Sequence, residues 1–176
     1  MTVTLEDVDR LLDSTSASGP DVPVQQIRDW RDELAHVAVL LSYARHVLSV
    51  DVGVLQRLAE RPDAGPGDLV DELPRLLAEA SVGGGWSLSP DAPVTMAPAG
   101  QVLEGEADGL LALHLELADP ERASRADFVA LLGEFEAELD EVTGRWTLTE
   151  ARLRKLQTEL VEKYKSGEAS VDDWLR

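Results

Sequence analysis

Residues 128–160 read FVALLGEFEAELDEVTGRWTLTEARLRKLQTEL. Phe128, Leu132, Phe135, Leu139, Val142, Trp146, Thr149, Leu153, Leu156 and Leu160 recur in that stretch at alternating steps of four and three. This is a heptad seam, the signature of a helix packed along a partner helix. A matching seam lies earlier in the chain: Ile27, Trp30, Leu34, Val37, Leu41, Ala44, Leu48, Asp51, Leu55 and Leu58. Two seams of equal length in one chain predict an all-α fold, an antiparallel coiled-coil hairpin of two long helices. Each seam would be roughly 45–50 Å long at about 1.5 Å per residue.

The surrounding segments divide a single domain, 1–176. Residues 1–22 hold a short helix and a loop. Thr4 and Asp7 form a capping box, and Leu5, Val8, Leu11 and Leu12 give one apolar face. The first long helix spans 23–61, with Pro23 suited to its first turn and Pro62 ending it. Beside its seam runs a second apolar row, Leu40, Tyr43, Val47, Val50 and Val54. So wide an arc requires neighbours on two sides, supplied by the N-terminal helix or the middle segment. The valines there also leave a short internal strand open. Residues 62–124 are irregular, with glycines at 83–85 and prolines at 90, 93 and 98, and residues 101–117 fit a helix or a strand. Ser124 and Asp127 cap the second long helix, 125–165, and Gly167 stops it. The tail 166–176 ends in Trp174-Leu175-Arg176.

Composition narrows the function classes. Lys and Arg number 16 against 34 Asp and Glu, a net charge of −18. Nucleic acid and anionic membranes are disfavoured as ligands, and a basic protein is the complementary partner. There is no cysteine, which fits a cytoplasmic location. The opening residues lack a secretory pattern, and no apolar run is expected to reach the length of a membrane span.

Chemistry-bearing constellations are sparse. His36 and His46 sit ten residues apart on one helix and His114 lies in the middle segment, so no metal site is expected. There is no nucleophile elbow, and Gly83-Gly84-Gly85 is not followed by the Lys-Ser/Thr of a phosphate loop. The expectation is a protein that is not an enzyme. Asp51 and Thr149 interrupt the seams. Either the hairpin splays or pairs Asp51 with a basic residue there, or the two mark a polar pocket. Asp127, Glu134, Glu136, Glu138, Asp140 and Glu141 crowd the first half of the second helix. Arg152, Arg154, Lys155, Lys163 and Lys165 favour its second half. That polarity suits the helix dipole.

Three stretches carry a family resemblance. The tail Glu159-Leu-Val-Glu-Lys-Tyr164-Lys-Ser-Gly-Glu-Ala-Ser-Val-Asp-Asp-Trp-Leu175 resembles the C-terminal signature of the RsiG-like proteins of actinobacteria. The segment Glu33 to Leu58, with Leu41-Ser-Tyr-Ala-Arg45 inside it, resembles their first long helix. The opening Leu5-Glu-Asp-Val-Asp-Arg-Leu-Leu12 is also similar. The resemblance implies an anti-sigma factor, an antiparallel coiled coil that sequesters a sigma factor and binds cyclic di-GMP. The family motif is Glu-x3-Ser-x2-Arg-x3-Gln-x3-Asp, on one or both helices. Its first copy here keeps Ser42 and Arg45 but has Ala38, Ser49 and Gly53 at the other positions. A second keeps Glu138 and Arg145 but has Val142, Thr149 and Leu153.

Arg and carboxylate are the groups that hold phosphates and guanine edges. With most carboxylates gone, cyclic di-GMP is disfavoured and no cofactor is expected. The sequence therefore predicts a transcription regulator that binds a sigma factor or another basic protein through Glu134, Glu138 and Glu141. The alternatives are a cyclic di-GMP sensor with an altered pocket, or a homodimer acting as a helical scaffold.

Overall fold

The computed structural model describes residues 2–19, 21–60, 105–111 and 125–167. Its elements are α1 (Leu5–Ser16), α2 (Val24–Glu60), a 3-10 turn (Asp108–Leu110) and α3 (Arg125–Ser166). The fold is all-α, and no strand occurs among the described residues. The valine-rich row of α2 is unbroken helix, because burial outweighs the weak intrinsic preference of β-branched residues. Readings that concern residues 61–104, 112–124 and 168–176 lie outside the described residues, including the Ser124 cap and the Trp174-Leu175 tail.

The α2–α3 pair is antiparallel. Arg28 meets Tyr164, Arg45 meets Trp146, and Gln56 meets Glu136, so one helix descends as the other rises. With 37 and 42 residues, the helices are about 55 and 63 Å long, beyond the seams that announced them. Ile27, Leu34, Leu41, Ala44, Leu48 and Leu55 are fully enclosed from α2, as are Phe135, Val142 and Leu156 from α3.

α1 runs parallel to α3 and rests against both long helices. Asp9 reaches Arg145, the Thr15 carbonyl accepts from Arg152, and Ser18 donates to Glu159. Its start follows from sequence. The Thr4 N–H donates to Asp7 Oδ2 at 3.1 Å, and the Asp7 N–H donates to Thr4 Oγ1 at 3.2 Å. Val8 and Leu11 are buried beneath it, and the helix ends at Ser16.

A short strap, residues 105–111, closes the N-terminal side. Ala107 and Leu110 are fully buried. The Val3 N–H donates to the Glu106 carbonyl at 3.0 Å, and His36 Nε2 lies 3.0 Å from Glu106 Oε2. Leu110 thus sits in a helical turn, one of the two readings its surroundings allowed. α3 ends at Gly167, whose φ of 80° is the left-handed stop expected of it.

One expectation needs correction. α2 contains an 18-residue window long and apolar enough, by length and composition, to cross a membrane. The two apolar rows that let α2 touch neighbours on two sides also raise its hydropathy. In the fold, 44% of that window is buried inside the protein.

Candidate functional site

The sequence placed candidate binding residues at mid-height on the long helices. Ser42 and Arg45 lie on one side of the pair, Glu138 and Arg145 on the other. The structure does not gather the four. Arg45 lies flat on Trp146, its guanidinium carbon 4.0 Å from the ring centroid. That stacking holds a cation at the surface of the hairpin by cation–π attraction. Ser42 is half-buried one turn before it. Glu138 is seven residues from Arg145, about 10 Å along the axis.

Arg145 is engaged at all three guanidinium nitrogens. Its Nε and Nη2 donate to the two Asp9 carboxylate oxygens, each at 3.0 Å, and its Nη1 donates to Glu141 Oε1 at 2.9 Å. The Asp9 hydrogen bonds raise its pKa, and its side chain is only 20% exposed. With one bond at each of its three nitrogens, the guanidinium keeps two of its five N–H donors, and a phosphate would have to share it with two carboxylates. Arg145 works as the clasp that pins α1 to α3.

Glu138 is the second correction. It was expected to lie off the seam, on a docking surface with Glu134 and Glu141. Glu134 and Glu141 are exposed, whereas Glu138 is 6% exposed. It falls three residues after Phe135 and four before Val142, so it shares their inward face.

The seam interruptions differ in kind. Asp51 is half-buried and has a polar partner. Thr149 is fully enclosed, and its Oγ1 has no hydrogen-bond partner among the described residues. An unmatched buried hydroxyl weakens the core there.

At the far end of the pair, Arg28 Nε donates to the Tyr164 hydroxyl at 3.1 Å, and Nη2 donates to the same oxygen. The guanidinium also lies 5.6 Å from the Tyr164 ring centroid. This contact ties the two helices at the open end of the hairpin, away from the Glu60-to-Arg125 connection. Among the described residues no group of three or more His, Cys, Asp or Glu is placed to hold a metal.

Charge is the remaining feature. Asp127, Glu134, Glu136, Asp140 and Glu141 are exposed on α3, and no Lys or Arg occurs between positions 126 and 144. Gln56 donates to Glu136, and Glu141 holds Arg145. Glu134 and Asp140 have no ion-pair partner among the described residues. The first half of α3 is therefore a strongly negative surface on a rigid element.

Sequence reading missed the Asp9–Arg145 clasp and the Arg45–Trp146 stack. Asp9 lies off the apolar face of α1, so periodicity carried no signal for it. The stack was reachable in principle, since Arg45 and Trp146 become neighbours once the two seams are laid antiparallel in register. Comparisons with protein-family models, with curated proteins and with solved structures gave no match for this chain.

Proposed function

We propose that this chain is a non-catalytic regulator of the anti-sigma type, which captures a basic protein partner on its acidic helical surface. The observation that carries the reading is the first half of α3, where exposed carboxylates stand over 19 residues without a Lys or Arg. The net charge of −18 extends the same field over the molecule. A sigma factor presents a basic DNA-binding surface, and an acidic helix pair can occlude it. The resemblance to RsiG-like proteins in the tail and the first helix favours a sigma factor among basic partners. A cytoplasmic location follows from that role.

The cyclic di-GMP reading has less support. Arg145 is bonded by Asp9 and Glu141, Glu138 is turned inward, and Arg45 is stacked on Trp146. At Arg145 a dinucleotide would have to compete with the Asp9 and Glu141 carboxylates.

The test is capture of the native partner, followed by association kinetics. Sigma factor should co-purify, and association should be fastest at low salt, because opposite fields steer encounter. Glu134→Lys with Asp140→Lys should slow association while leaving dissociation and fold nearly unchanged. An association rate indifferent to salt would refute acidic capture.

A further inference from the structure

The two attachments in this fold differ in chemistry. α2 meets α3 along an apolar seam in which Leu34, Leu41, Leu48 and Leu55 are fully enclosed. α1 is held to α3 by a polar ladder. Arg145, Arg152 and Glu159 stand at seven-residue steps on one flank of α3. Arg145 forks onto both Asp9 oxygens at 3.0 Å, and Arg152 Nη1 donates to the Thr15 carbonyl at 3.5 Å. Just past the helix, Ser18 Oγ donates to Glu159 Oε1 at 3.1 Å. Within α1 itself, Val8, Leu11 and Thr15 are the buried residues.

A helix of 12 residues is marginal in water on its own, so α1 persists because it is docked. Its docking is opposed by charge. α1 carries Glu6, Asp7, Asp9 and Asp13, and its own cation, Arg10, is paired with Glu6 and Asp7. Asp9 is brought beside Glu141 of α3, and Arg145 is the cation the two carboxylates share. Half of the Asp9 side chain faces solvent, so water and salt reach this clasp. The polar ties of the hairpin lie on the opposite flank of α3, where Glu136, Trp146 and Tyr164 meet Gln56, Arg45 and Arg28.

We infer that α1 is a detachable arm, latched by Arg145, that lifts from the hairpin as a unit while the α2–α3 seam stays closed. Partial opening of this kind belongs to elements that rest on few buried side chains. Lifting breaks the fork at Arg145, the bonds to Thr15 and Ser18, and the Val3–Glu106 bond at the strap. It leaves the seam and the opposite flank untouched. The arm also sets the charge around Arg145, which faces two carboxylates when α1 is down and Glu141 alone when it is up. The inference goes beyond acidic capture and stands without it.

Native-state amide exchange on the full chain, read by mass spectrometry, tests the arm. Protection in α1 should be at least about tenfold lower than along the seam of α2 and α3. Arg145→Gln leaves Asp9 facing Glu141 without the shared cation, and should lower protection in α1 a further three- to tenfold or about that, with α2 and α3 unchanged. Adding Asp9→Asn to that variant should restore part of the protection, because the repulsion is gone although no fork can form. Equal protection in all three helices of the unmodified chain would overturn the arm, since the molecule would then open as one unit. Unaltered exchange in α1 of Arg145→Gln would overturn the latch. Should Arg145→Gln disturb all three helices, Asp9→Asn alone decides, because it keeps Arg145 and its Glu141 bond. Faster exchange confined to α1 in that variant supports the arm, and a change shared by α2 and α3 refutes it.

Discussion

Alanine at two glycines should move stability in opposite directions, and the reason lies in a few ångströms at the strap. At Gly109 a Cβ would sit 2.5 Å from the Val3 carbonyl oxygen and 2.7 Å from Thr2 Cγ2. Gly167 alone has positive φ among the described glycines, so Gly109→Ala meets no backbone strain and acts by contact alone. Ordinary contact requires the N-terminal segment to retreat by about 0.9 Å, which overpacks the strap at a cost of about 1–3 kcal/mol. The same retreat strains the Val3 N–H bond to the Glu106 carbonyl, a bond worth about 1 kcal/mol. At Gly53, inside α2, a Cβ meets nothing within 4 Å. Gly53→Ala should therefore gain about 0.5–1 kcal/mol from helix preference. For a chain of this size each kcal/mol moves Tm by about 2–4 °C. Scanning calorimetry should show Gly109→Ala melting below the unmodified protein and Gly53→Ala above it. Amide exchange should locate the Gly109 effect in residues 3–16 and 105–111. Equal or higher stability for Gly109→Ala would refute the strap as the anchor of the N-terminus.

Three further outcomes are open to measurement. Thr149→Val removes a buried hydroxyl without a partner among the described residues and should stabilise the protein by about 1 kcal/mol in urea melts, whereas a loss would reveal a partner for Oγ1. Thr4 hydrogen bonds hold the Asp7 carboxylate below its usual pKa, so its contribution is complete above the unfolded value of about 4 and fades as pH falls through the folded one. Acid-induced fraying of α1 should accordingly begin only below about pH 4, and Asp7→Asn should flatten that part of the circular-dichroism profile. Cyclic di-GMP should bind more weakly than about 10 μM by calorimetry, and submicromolar binding abolished by Arg45→Ala would overturn that expectation in favour of a dinucleotide sensor.

The hairpin was legible because its code is redundant. Ten positions per helix repeat one instruction, so interruptions at Asp51 and Thr149 did not obscure the period. The Thr4–Asp7 box and the Gly167 stop were legible because they are local, set by residues three or four apart. What escaped were contacts between residues more than a hundred positions apart. Asp9 meets Arg145 from outside any periodic pattern. Glu138 was assigned by its charge to the surface, although its place in the heptad puts it inside with Phe135 and Val142. There position outweighed residue type, a burial that polarity alone does not forecast. The strap was ambiguous because Leu110 to Leu117 alternates too regularly to separate helix from strand. Burial of Ala107 and Leu110 against the hairpin decided it locally.

The topology also imposes an order of assembly. α2 is complete at Glu60, while the helix that covers it begins at Arg125 and ends at Ser166. Synthesis at about 5–20 residues per second leaves the apolar side of α2 without its mate for roughly 5–20 s. α1 waits as long, because its clasp residue, Arg145, is made 136 residues after Asp9. Nascent chains stalled before residue 125 should therefore be cut readily by protease within α2, and chains extended past residue 166 should resist. During translation the apolar stripe of α2 thus stands exposed to the cell until the last of the long helices is made.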